Sequence, residues 1–203
     1  MSRVREIQGK CVDPADFARE YVEYVSAVLK SIDPAEIAAF ARTLLAARDR
    51  GATVYFMGNG GSAATASHFA NDLAIGTKTA DRHFRIVALT DNVPVLTAIA
   101  NDFGYEEIFV RQLRLVLDAG DVVVAISASG NSPNLLRAID FARQQGATTV
   151  GLTAFDGGTL RATVDLAVHV PTFQGEYGPA EDGHMVLDHL ITAYLTHAVR
   201  SGT

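Results

Sequence analysis

From Thr53 onward the chain alternates short apolar runs with helical stretches, and this rhythm restricts the fold more than any other feature. The runs are TVYFM (53–57), RIVALT (85–90), DVVVAIS (121–127), TTVGLT (148–153) and LAVHVP (166–171). They are short, rich in β-branched residues and mostly free of polar alternation, which suits strands buried on both faces of a parallel sheet. Helical patterns lie between them near 62–74, 93–100, 105–118 and 132–145, with a last one near 179–199. Strands that alternate with helices predict a doubly wound α/β domain.

Two amphipathic helical patterns precede this rhythm. DPADFAREYVEYVSAVLKS (13–31) places Phe17, Tyr21, Val22, Val25 and Leu29 at helical spacing after an Asp-Pro start. DPAEIAAFARTLLAARDRG (33–51) repeats the arrangement and stops at Gly51, a suitable C-cap. Such a hairpin can cover its own sheet or face a partner subunit. Residues 1–203 therefore read as one domain, with a helical extension over 1–51 and the α/β core over 52–203. The formal charge of −6 argues against general nucleic-acid binding, because phosphate backbones select basic faces. Cys11 is the single cysteine, which excludes a disulfide framework or a thiolate metal cluster and makes a reducing cytoplasm the expected location. No run approaches the roughly 20 apolar residues of a membrane span, and the N-terminal residues lack the apolar core of a signal peptide.

Ligands of open α/β sheets bind at the carboxyl ends of the strands, so the loops there carry the functional information. GNGGSAAT (58–65) follows the first strand. Gly58, Gly60 and Gly61 permit a tight turn, Ser62 can cap the next helix, and the free N–H groups there favour an anion. No Gly-Lys-Ser/Thr follows, and Ala63 stands where a dinucleotide fingerprint would place its last glycine, so no nucleotide is expected. SASGNSPN (127–134) follows the third strand. A capped helix accounts for Ser132 and Pro133 but leaves Ser127 and Ser129 unused. A monophosphate held by hydroxyls and backbone dipoles, without Lys or Arg, uses them all.

His68 and Asp72 share one face of the first crossover helix. On the last helix Glu181 and His189 lie about 80° apart, while His184 lies about 140° from His189 and is the weaker candidate. Two His and two carboxylates have the ligand chemistry of a tetrahedral zinc site, although a His–Asp pair four residues apart is also a common surface pair. His83, His169 and His197 have no partner visible in sequence and read as structural or exposed.

MGNGGSAATASHFANDL, ALTDN, ANDFGYEEIF, ISASGNSPNLLRAIDFARQQG and EDGHMVLDHLI together resemble the sugar isomerase (SIS) domain, and more narrowly its phosphoheptose isomerase branch, from about Asp16 to Leu195. The resemblance implies a flavodoxin-like three-layer sandwich with a five-stranded parallel sheet, assembled as a tetramer with active sites at subunit interfaces. It implies isomerisation of sedoheptulose 7-phosphate to a D-glycero-heptose 7-phosphate through an enediol. The phosphate would lie on Ser127, Ser129 and Ser132 beside the Ala128 backbone, with Asn59, Gly60, Ser62, Asp91 and Glu181 at the sugar. Asp72 would be the base and His189 the acid. Zn2+ would be held by His68, Asp72, Glu181 and His189.

The chain departs from the family pattern at three of these places. Asp72 is one methylene shorter than the usual Glu, and Glu181 replaces a neutral Gln. Gly76 stands where an Arg is usual, a loss for which Lys78 is the nearby candidate to compensate. Two carboxylates and two neutral His balance a divalent ion, so the changes favour a metal-assisted isomerase. A non-catalytic phosphosugar-binding protein, like the replication-initiation regulator of the family, and an isomerase of another sugar phosphate are the alternative readings.

Overall fold

The computed structural model describes residues 2–77 and 82–201. Five parallel strands form one sheet in the order β2-β1-β3-β4-β5: β1 (Thr53–Gly58), β2 (Arg85–Ala88), β3 (Val122–Ser127), β4 (Thr148–Ala154) and β5 (Leu166–Val170). The order reverses between β1 and β3, whose register pairs Val54 with Val122 and Gly58 with Ile126. That reversal is the switch point at which open α/β sheets place their ligands. It brings the glycine loop and the serine loop side by side.

Both faces of the sheet are covered. On one face Val54, Phe56, Val124, Leu152 and Val168 pack against α3 (Pro34–Arg50), α4 (Gly61–Asn71) and α9 (Tyr177–Ser201). On the other, Tyr55, Met57, Val123 and Ala125 meet α5 (Val93–Phe103), α6 (Val110–Val116), α7 (Pro133–Gln144) and α8 (Gly158–Thr163). β1 and β3 are buried along their whole length, as their unalternating sequences predict. β2 is the exception: as an edge strand it leaves Val87 exposed, and it stops at Ala88 rather than Thr90.

Both N-terminal helices, α2 (Pro14–Lys30) and α3, form where expected, but not as a packed hairpin: α2 lies chiefly on α9, and α3 on α9 and the sheet. Asp13 and Asp33 cap α2 and α3, each with proline in the first turn. α3 buries Phe40, Ala41, Leu44 and Ala47 in the chain's own core, which makes this helix a cover for its own sheet. Two short helices have no strong sequence pattern: α1 (Arg3–Lys10) and α8. The stretch 105–118 is not one helix but a 3-10 turn, Tyr105–Glu107, followed by α6. α4 ends in a π-helical turn, Asp72–Gly76, a rare conformation that recurs at functional sites.

Candidate active site

The serine loop and the glycine loop face each other across a cavity of about 130 Å³ lined by Asn59, Ser62, Ser127, Ala128, Ser129, Ser132, Tyr177 and Glu181, with Ile126 and Leu135 beneath. Ser127 Oγ accepts from the Gly130 N–H at 3.1 Å, and Ser129 Oγ accepts from the Asn131 N–H at 3.4 Å. Each hydroxyl thereby has its oxygen turned to the loop and its own proton available to a ligand. Ser132 occupies the N-cap position of α7, but its side chain makes no capping hydrogen bond; the Leu135 N–H in the first turn is instead accepted by the Ser132 carbonyl and by Asn134 Oδ1. The N-cap of α4 is Gly60 rather than Ser62, which lies buried inside the first turn. The N-termini of α4 and α7 both open at this cavity, and no Lys or Arg lines it among the described residues. Hydroxyl donors and helix dipoles without a counter-charge suit a phosphate monoester.

Glu181 is the one carboxylate in the lining among the described residues. Its carboxylate occupies the space where a side chain at Gly61 would otherwise stand, directly over the first turn of α4. Tyr177 closes another wall with its ring edge-to-face on Phe155, the centroids 5.1 Å apart. Phe155 is held at φ 57, a left-handed conformation that costs a non-glycine residue about 1–2 kcal/mol. The start of α9 is anchored by buried Glu176, whose carboxylate accepts from Ser2 Oγ at 2.7 Å, from the Val4 N–H at 2.9 Å and from the Tyr24 hydroxyl. Burial alone would raise the Glu176 pKa, but these hydrogen bonds outweigh it and hold the group below the usual carboxylate range.

α4 and α9 also bring together His68, Asp72, Asp188 and His189, with one ligand atom of each within 4.8 Å of all the others. His68 Nε2 lies 3.3 Å from His189 Nε2, 3.4 Å from Asp72 Oδ2 and 3.9 Å from Asp188 Oδ2. Ligands about 2.1 Å from a tetrahedral ion stand about 3.4 Å apart, close to these separations. Asp188 is fully buried, and its Oδ2 has no hydrogen-bond partner. Burial, then repulsion from Asp72, raises its pKa to about 7, against the opposing pull of His68 and the Thr192 hydroxyl. An orphaned buried carboxylate beside two imidazoles and a second carboxylate fits a divalent cation.

This cluster differs in one member from the ligand set expected from the resemblance: it brings Asp188 to His68, Asp72 and His189, while Glu181 lines the serine cavity. Eight residues of helix separate Glu181 from His189 by about 12 Å along the axis, so one side chain reaches the serine cavity and the other His68. Asp188, missed in the sequence, carried a readable signal: it is seven residues from Glu181, two turns along nearly the same face. His184 is wholly buried, with Nε2 3.3 Å from the Thr153 carbonyl, and takes no part in the cluster. Asp91 is exposed and bonded to Ser67 and Thr90, and it does not line the serine cavity. A side chain at Gly76 would meet Thr192 and Asp72, and Lys78 lies outside the described residues. His169 is a core residue bonded to Thr153, while His83 and His197 are exposed. Among the described residues no helix is long and apolar enough to cross a membrane.

Comparison with known proteins gives one consistent answer. Residues 20–154 match the SIS domain family model. The phosphoheptose isomerase of Geobacter metallireducens is 43% identical over 173 residues, covering 85% of this chain and 90% of the relative. That of Burkholderia pseudomallei is 37% identical over 165 residues, covering 81% and 83%. The structure of phosphoheptose isomerase GmhA from Neisseria gonorrhoeae superposes with a TM-score of 0.78 at 31% identity, over 88% of this chain and 95% of that one. A Francisella tularensis phosphoheptose isomerase, at 23% identity and TM-score 0.80, bears on the fold alone. The chain belongs to the SIS domain family, in its phosphoheptose isomerase branch.

Proposed function

We propose that the chain isomerises sedoheptulose 7-phosphate to D-glycero-heptose 7-phosphate, with the serine loop holding the phosphate and the α4–α9 cluster facing carbons 1 and 2. The observation that carries this reading is the pairing of an uncharged hydroxyl cradle with a two-His, two-Asp cluster on adjoining helices. Ser127, Ser129 and Ser132 donate to the phosphate oxygens, and Asn59, Ser62 and Glu181 meet the sugar. Asp72 takes the proton from C1, and the electron pair forms the C1–C2 double bond while His189 protonates the oxygen on C2. The enediol then collapses: C2 receives the proton, the hydroxyl on C1 gives one up, and an aldehyde remains at C1. Atoms and electrons balance without a redox cofactor. His68, Asp72, Asp188 and His189 would hold a Zn2+ ion, which when bound would stabilise the charge on the enediol oxygens in place of the proton that His189 gives in the metal-free site.

The exposed side chains of Val186, Leu190 and Tyr194 form a stripe on α9, and Leu190 and Tyr194 border an apolar groove with Leu29, Ile37 and Ala41. This stripe beside His189 supports a homotetramer with active sites at subunit interfaces, which light scattering would test. The free Cys11 thiol supports a cytoplasmic location. The substrate assignment is tested by offering the zinc-loaded protein ketose phosphates of five, six and seven carbons. Selective turnover of the seven-carbon sugar is the expected result; equal or better turnover of a shorter one would reassign the substrate, and binding without turnover would favour a non-catalytic protein.

A further inference from the structure

We infer that Asn134 and Tyr105 are positioning residues that lock the Asn59 side chain as a pure hydrogen-bond donor toward the sugar. The inference rests on the proposed sugar-phosphate site and adds to it two residues that do not touch the substrate. Asn59 lines the serine cavity, yet its amide is engaged from behind. Its Oδ1 accepts from the Tyr105 hydroxyl at 2.8 Å and from Asn134 Nδ2 at 2.8 Å, and its Nδ2 donates to Asn134 Oδ1 at 3.0 Å.

The polarity of this chain of bonds is fixed by the backbone. The Leu135 N–H donates to Asn134 Oδ1 at 3.0 Å, and a backbone N–H cannot reverse its role. Asn134 therefore points its oxygen to Leu135 and to Asn59, and its nitrogen to the Asn59 oxygen. Both lone pairs of Asn59 Oδ1 are then occupied, and one Nδ2–H is left for a ligand. Asn59 can read an acceptor, such as a hydroxyl or carbonyl oxygen of the sugar, and cannot satisfy a donor. Asn134 is buried at the start of α7, directly after the serine loop, so the same residue ties the glycine loop to the phosphate cradle.

The test is a double-mutant cycle with sedoheptulose 7-phosphate, run after the native chain has been shown to turn it over; a native chain without turnover would sink the substrate reading and not this one. Asn134→Ala should lower kcat/KM about tenfold in the native background and less than twofold in an Asn59→Ala background, because its effect runs through Asn59. Equal losses in both backgrounds would overturn the inference and leave Asn134 a folding residue. Tyr105→Phe, at an exposed position, keeps the test open should Asn134→Ala misfold. It should raise KM two- to fivefold with Tm unchanged and do nothing in the Asn59→Ala background; an unchanged KM in the native background would contradict the lock.

Discussion

Replacing Gly130 with alanine should damage both the stability of the chain and its hold on phosphate. Gly130 sits at φ 64 in the serine loop, where its N–H donates to Ser127 Oγ and its carbonyl accepts from Leu160 at 2.9 Å. An added Cβ would overlap the carbonyl of Gly157, which is backbone and cannot rotate away. The left-handed conformation costs alanine about 1–2 kcal/mol, offset by about 0.4–1 from the stiffer unfolded chain. Relieving the overlap adds about 1–3 kcal/mol, so the total falls at about 1–5 kcal/mol. Gly51 supplies the control, since it sits at φ 73 with nothing within 4 Å of its would-be Cβ. Gly51→Ala should cost about 1 kcal/mol or less and leave KM alone. Urea unfolding and the KM for sedoheptulose 7-phosphate read both effects. If Gly130→Ala were as mild as Gly51→Ala in both, the close packing of the serine loop on the Gly157 turn would be wrong.

Other consequences follow from single groups. Asp188→Asn should lower zinc retention more than tenfold by elemental analysis after dialysis, whereas Glu181→Gln should leave it unchanged; the reverse pattern would restore Glu181 as the ligand. His184 is buried, and burial, aided by repulsion from His169, pushes its pKa down from 6.5 to about 4. The unfolded chain thus binds the extra proton first: this contribution is complete above about pH 6.5 and is lost as pH falls toward 4, about 3 kcal/mol in all. His184→Gln should flatten that part of the acid-unfolding curve, and an unchanged slope would contradict the assignment. Ser127→Ala and Ser129→Ala should each raise KM about tenfold or more, the worth of one hydrogen bond to a charged group, with a smaller change in kcat. A fall in kcat alone would move those hydroxyls from the phosphate to the reacting carbons.

The sheet was readable because burial on both faces leaves an unalternating apolar run, and β1, β3 and β4 carry that mark along nearly their whole length. β2 carries it less faithfully, since an edge strand meets solvent on one side. α1 has little apolar pattern because a carboxylate 172 residues away, Glu176, holds its first turn. The serine loop was legible as a cavity wall because its hydroxyls crowd into six residues where a helix begins. The metal cluster was half legible: His68 and Asp72 are one turn apart on α4, but which carboxylate of α9 reaches them depends on how the two helices cross. Asn134 looked like an ordinary residue of a helix start. Its role depends on Asn59, 75 residues away, and on the strand order that sets the two loops side by side.

The central claim is proton transfer between C1 and C2 of a heptulose phosphate, and proton NMR of sedoheptulose 7-phosphate in D₂O tests it most directly. With zinc-loaded protein the account predicts aldoheptose 7-phosphate carrying deuterium at C2, slowed at least a hundredfold by Asp72→Asn. Tight binding of the sugar with no exchange at C1 and no aldose would contradict it.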